Sequence, residues 1–195
     1  MKKLVTIFAI LMCAAPVYAA EKLSLTEISA YLNDLSSAQS TFTQINDDGS
    51  LSTGALMIKR PGKMRFEYDP PDAALVVAGA GAVAIFDKKS NQPPDTYPLN
   101  QTPLSIILAR NVNLEAANMV VGHAFDGTST QVVAQDPKHP EFGRIELSFT
   151  DSPVELRKWV VFDAHGGQTT VILGALETGV ALPDRLFSTT AQSDR

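Results

Sequence analysis

Past Ala19 the chain contains no cysteine, since its one cysteine is Cys13. Neither a disulfide framework nor a thiolate metal site is then available, and an apolar core must hold the fold. Metal-ligand spacing is missing as well: His123, His139 and His165 stand apart from one another and read as surface or turn residues. There is no Gly-x-Ser-x-Gly elbow to expose a nucleophile, and Gly79-Ala80-Gly81 runs into an apolar stretch rather than into the Lys-Ser or Lys-Thr of a phosphate loop. No catalytic residue, metal or cofactor is therefore expected. Positive charge is short too, at 16 Lys and Arg against 21 Asp and Glu, a balance that opposes nucleic acid and anionic membrane as standing partners. No stretch reaches the roughly 18 uninterrupted apolar residues of a membrane-spanning helix.

The apolar run that does exist lies at the start, where Lys2 and Lys3 precede Leu4–Cys13 and a segment of mostly small residues ending Val17-Tyr18-Ala19. This is the pattern of a secretory signal peptide. The small side chains of Val17 and Ala19 favour cleavage after Ala19, giving a leader over 1–19 and one domain over 20–195. Bulky Met12 directly before Cys13 opposes lipidation of that cysteine. Cleavage shortens 195 residues to 176, enough for one well-buried domain, and loss of the two lysines takes the net charge from −5 to −7. The processed chain is expected to be soluble.

One helix opens it, with Leu25, Ile28, Leu32 and Leu35 at three- and four-residue steps and Ser24 with Glu27 set as a capping box. The period then falls to two. Thr41–Ile45 and a returning strand that ends at Arg60 flank the turn residues Asn46-Asp47-Asp48-Gly49. Pro61 and Gly62 break the chain before Met64, Phe66 and Tyr68, which alternate with Lys63, Arg65, Glu67 and Asp69; the expectation is one buried apolar face and one wet, charged face. Leu75–Ala78 and Val83–Phe86 predict a further hairpin. Pro103, in a first helical turn after Thr102, leads a short apolar helix containing Leu104, Ile106, Ile107 and Leu108, with a further turn at Leu114–Asn118. Strands are predicted at Met119–Phe125, Gln131–Gln135, Arg144–Phe149, Leu156–Phe162 and Thr169–Leu173, and a fraying polar tail at Ser188–Arg195. The fold class is mainly β (α+β): a curved antiparallel meander with helices packed inside or across it, nearly closed because closure removes strand edges.

The order of these local patterns resembles the LolA family, periplasmic carriers of outer-membrane lipoproteins. The resemblance covers most of the processed chain. It runs through Phe42-Thr43-Gln44 and Gly54-Ala55-Leu56, is most specific from Lys59 through Arg60-Pro61-Gly62-Lys63-Met64-Arg65-Phe66-Glu67-Tyr68, and continues with Pro71, Thr102-Pro103-Leu104, Ile107–Arg110, Asp163 and Gly166–Thr169. It implies an incomplete, strongly curved antiparallel barrel covered by short helices, with an apolar cavity for acyl chains. On this chain the cavity residues would be Leu56, Ile58, Met64, Phe66, Tyr68, Leu75, Val77, Leu104, Ile107 and Leu108. Met64 stands where the family commonly has a large apolar or aromatic side chain. Arg60 matches the family arginine that ties the lid shut, a role suited to its five donors in a rigid fork. The resemblance also implies a periplasmic monomer without catalytic activity. Its partners would be acylated lipoproteins, an inner-membrane lipoprotein-releasing ABC complex, and an outer-membrane receptor or the outer membrane itself. A lipoprotein-sensing or general lipid-binding module of the same fold is the alternative, and a hydrolase lacks its nucleophile motif.

Overall fold

A computed structural model describes residues 20–190 apart from Ala73, Lys88, Asn91, Ala116 and Ala117. Residues 1–19, the expected leader with Met12 and Cys13, and the last five residues lie outside the described residues. Helix α1 spans Leu25–Asp34, and Ser24 and Glu27 form the expected reciprocal capping box: the Ser24 hydroxyl accepts from the Glu27 amide and the Glu27 carboxylate accepts from the Ser24 amide. Six strands follow: β1 Ser37–Ile45, β2 Leu51–Lys59, β3 Lys63–Tyr68, β4 Ala74–Gly79, β5 Ala82–Asp87 and β6 Asp95–Pro98. Helix α2, Leu104–Leu108, divides them from β7 Val120–Phe125, β8 Thr130–Gln135, β9 Arg144–Asp151, β10 Val154–Phe162, β11 Gln168–Leu173 and β12 Glu177–Thr178.

Eleven of these twelve strands follow one another in a single sheet, in the order β6-β5-β4-β3-β2-β1-β11-β10-β9-β8-β7, every pair antiparallel. The two meanders meet where Phe42 pairs with Leu173 and Ile45 with Thr170. Short β12 continues along the same edge of β1, opposite Ala38 and Gln39. The ends β6 and β7 do not pair, so the barrel is incomplete.

Strand parity decides the core. Phe42, Leu56, Ile58, Met64, Phe66, Trp159 and Val171 share one apolar cluster with Ile28 and Leu32 of α1 and with Ile106, Ile107 and Leu108 of α2. This is the inner face of the sheet, and the helices cover it. Aromatic rings bridge three strands there: Phe66 meets Phe42 edge to face at 5.2 Å and Trp159 at 6.2 Å.

On β3 the outer face differs from the sequence expectation. Arg65 is not in water but 5% exposed, with Nη1 donating to the Leu186 carbonyl at 2.9 Å and Nε to Glu67. A 3₁₀ turn at Asp184–Phe187 lies over β3 and β4, and Asp184 receives both Lys59 and Lys63. Alternation along β3 reports that two faces exist. It carries no information about a segment more than a hundred residues later that covers the second one. The short strands β6 and β12 were likewise not expected from the sequence, because four and two residues are too few to show a period.

Candidate functional site: a latched helix over an apolar face

Helix α2 is five residues long and Ala109 leaves helical geometry, with ψ at 148°. Its last carbonyls therefore have no intrahelical donors. Two come instead from the β2–β3 turn: the Gly62 amide donates to the Leu108 carbonyl at 2.9 Å, and Arg60 Nη2 donates to the Ala109 carbonyl. Gly62 has φ of +73°, a left-handed conformation that glycine adopts without strain. The turn is itself anchored, since the Arg60 amide donates to the Ser36 carbonyl at 2.8 Å.

Arg60 is half-buried and, among the described residues, no carboxylate pairs with it. Its Nε is buried without a hydrogen-bond partner. Burial correspondingly draws the guanidinium pKa below its ordinary value. A charge-assisted hydrogen bond contributes about 1.5–3 kcal/mol, whereas a buried unsatisfied donor costs about 1–3 kcal/mol. The contribution of the Arg60 bond to the Ala109 carbonyl is thus partly offset by the unpaired Nε.

Beneath the latch, the residues expected to form the acyl site separate into two groups. Leu56 pairs with Phe66 and Ile58 with Met64, and all four are buried on the inner face. Ile107 and Leu108 are buried against the same cluster, while Leu104 and Tyr68 are partly buried beside it. The Tyr68 hydroxyl donates to Gln44 Oε1 at 2.7 Å, and burial pushes its pKa up to about 12. Leu75 and Val77 go elsewhere: they pair with Glu67 and Arg65, on the outer face, whereas Val76 and Ala78 pair with Phe66 and Met64. The assignment of Leu75 and Val77 to the inner wall is corrected accordingly. Residues 74–78, Ala-Leu-Val-Val-Ala, are apolar on both faces and show no alternation from which parity can be read. Phe42, Trp159, Val76 and Ala78 join the inner wall although the sequence did not single them out for it. For Phe42 and Trp159 the available signal was a large aromatic at an inward position of a two-period strand.

Two open clefts flank the latch. One, of about 370 Å³, lies between Ser105, Ile106, Ala109 and Val112 on the lid side and Met119 and Pro137 on the sheet side. The other, of about 530 Å³, lies between Arg60 and the segment Val180–Pro183. Of the three histidines, His123 contacts the Leu23 carbonyl from β7, His139 stacks on Phe142, and His165 sits at the β10–β11 turn. Among the described residues, no group of three or more His, Cys, Asp or Glu is placed to hold a metal.

The family model described as outer membrane lipoprotein carrier protein LolA matches residues 33–190. An outer-membrane lipoprotein carrier protein of Cupriavidus pinatubonensis is 24% identical over 172 residues, covering 83% of this chain and 80% of that one. A protein of the same description from Nitrosomonas europaea is 25% identical over 205 residues, covering 97% and 95%. Among solved structures, a domain from Vibrio parahaemolyticus provisionally described as an outer membrane lipoprotein-sorting protein domain superposes with a TM-score of 0.52 at 8% identity, covering 87% of this chain and 97% of that one. That likeness concerns the fold.

Proposed function

The chain belongs to the LolA family of outer membrane lipoprotein carrier proteins, and from this premise we propose that it shields the acyl chains of lipoproteins released from the inner membrane and delivers them to the outer membrane. The observation that carries the reading is the latch: Arg60 and Gly62 hold α2 by two hydrogen bonds, with its Ile107 and Leu108 packed on an inner wall of Leu56, Ile58, Met64 and Phe66. Opening it exposes apolar surface of the kind an acyl chain covers.

The energetics favour carriage. Each acyl methylene taken from water contributes about 0.8 kcal/mol, so the gross sum for several long chains would pass the practical ceiling of about 18–21 kcal/mol for noncovalent binding. A carrier that must also release needs an opposing contribution. Reclosure of α2 on Arg60 and repacking of Ile107 and Leu108 onto the inner wall supply one, because both are gained only when the cargo leaves.

In this proposal residues 1–19 export the chain and it works in the periplasm as a monomer without a cofactor. It takes cargo from an inner-membrane ABC complex and gives it to a receptor or to the outer membrane itself. Mass spectrometry of the protein recovered from periplasm after cross-linking tests the class of cargo. Triacylated lipoproteins are the expected adducts, and recovery of soluble peptides alone would overturn the proposal.

A further inference from the structure

The lid has a second attachment, on the side away from Arg60. Thr26, Ser29 and Asn33 lie three and four residues apart on α1 and so share one helix face. Facing them is the strap that continues from α2, residues 112–115. Asn33 Nδ2 donates to the Val112 carbonyl at 2.8 Å, and the Val112 amide donates to Asn33 Oδ1 at 2.9 Å. One side-chain amide thereby satisfies both backbone groups of Val112, as a neighbouring strand would. The Leu114 amide donates to Ser29 Oγ at 3.0 Å while that hydroxyl donates to the Leu25 carbonyl at 2.7 Å. Thr26 Oγ1 donates to Glu115 at 2.7 Å. Val112 and Leu114 are buried between these bonds.

The two attachments are built differently. The latch is a guanidinium with an orphaned Nε and one backbone bond at the frayed end of α2. The strap has three side-chain–backbone bonds, with both sides of the Asn33 amide used and buried apolar anchors at Val112 and Leu114. At its far end the lid region is tied again, where the Leu99 amide donates to the Gly81 carbonyl at 2.9 Å.

We propose that Asn33 and Ser29 are positioning residues of the lid: they hold 112–115 fixed on α1, so that opening is a swing of α2 away from Arg60 between two stationary ends. The inference rests on the carrier reading for its purpose and on the hydrogen bonds alone for its mechanics. The amide supplies its donor and its acceptor on two separate atoms, one for each backbone group of Val112. An aspartate at position 33 would keep the acceptor and turn its second oxygen on the Val112 carbonyl.

Amide hydrogen exchange by NMR on the full processed chain, without cargo, tests this in the wild type and in Arg60→Leu, Asn33→Ala, Asn33→Asp and Asn33→Gln. In Arg60→Leu, exchange at Gly62 should rise about tenfold, with Val112 and Leu114 unchanged. In Asn33→Ala and Asn33→Asp, exchange should rise at Val112 and also at Gly62, because a lid without its fixed end no longer presents Leu108 to the latch. The sheet amides of Trp159 and Val171 should stay at wild-type rates, and Asn33→Gln should restore part of the Gly62 protection. Gly62 unchanged in both the alanine and aspartate variants would overturn the proposal, as would Arg60→Leu releasing Val112 and Leu114 together with Gly62. So would acceleration at Trp159, which would make Asn33 a general stabiliser. Failure of the wild type to bind a triacylated lipopeptide would count against the carrier reading and leave these exchange results standing.

Discussion

Phe42 and Tyr68 meet edge to face at 5.1 Å across Gly54, which pairs with both of them in the register of β1, β2 and β3. A Cβ on Gly54 would stand 2.0 Å from the Glu67 carbonyl oxygen and 2.9 Å from the Phe42 ring. The missing side chain is what lets the two rings close over the middle strand, and with Phe66 and Trp159 they form the aromatic part of the inner wall.

Gly54→Ala is therefore expected to destabilise the protein by about 2–4 kcal/mol, in the range of overpacking with a backbone shift. Urea unfolding followed by tryptophan fluorescence of Trp159 measures it. A change below ~0.5 kcal/mol would show that β2 and β3 separate without cost.

Phe66 and Leu75 are both buried, on opposite faces of the sheet. Phe66→Ala and Leu75→Ala should each lower stability, by about 3–5 and 2–5 kcal/mol respectively. Only Phe66→Ala should change the affinity for a fluorescent fatty acid, measured at a temperature where circular dichroism shows both variants folded. Equal effects on binding would contradict the assignment of the two faces.

Asp184 carries a pH dependence of known sign. Hydrogen bonds and charge from Lys59 and Lys63 lower its pKa from 3.8 to about 2. A carboxylate depressed in the folded state adds stability above its unfolded pKa and loses it as pH falls through the folded one. The gap in melting temperature between the wild type and Asp184→Asn should be present at pH 6 and close between about pH 4 and pH 2. A gap that persists unchanged at pH 2 would mean that Asp184 acts by something other than its charge.

Legibility in the sequence followed the physics of each element. The α1 cap, the β3 alternation and the apolar helix after Pro103 are local patterns, and the structure has them at those positions. Arg60 was visible as a side chain of suitable chemistry in a suggestive motif; which carbonyl it meets was not, since Ala109 lies 49 residues further on. Leu75 and Val77 were misplaced because β4 is buried on both faces and carries no parity. Arg65 looked exposed because its cover, the turn at Leu186 and Phe187, comes from the far end of the chain. Asn33 gave no signal at all: a polar residue near a helix end reads as solvated, and its partner is the backbone of Val112.

The central claim, that the latch at Arg60 drives release, is tested most directly by cargo transfer. Wild type, Arg60→Leu and Arg60→Lys are each loaded with a radiolabelled triacylated lipoprotein and mixed with acceptor vesicles of outer membrane. If Arg60 bonds α2 only when the inner wall is empty, its loss destabilises the empty closed form and leaves loading intact. The charge-assisted bond contributes about 1.5–3 kcal/mol, and the unpaired Nε takes part of this back, so transfer by Arg60→Leu should fall roughly tenfold. Lysine should rescue it partly, keeping the charge without the planar fork. Loading and transfer equal to the wild type in Arg60→Leu would contradict the latch.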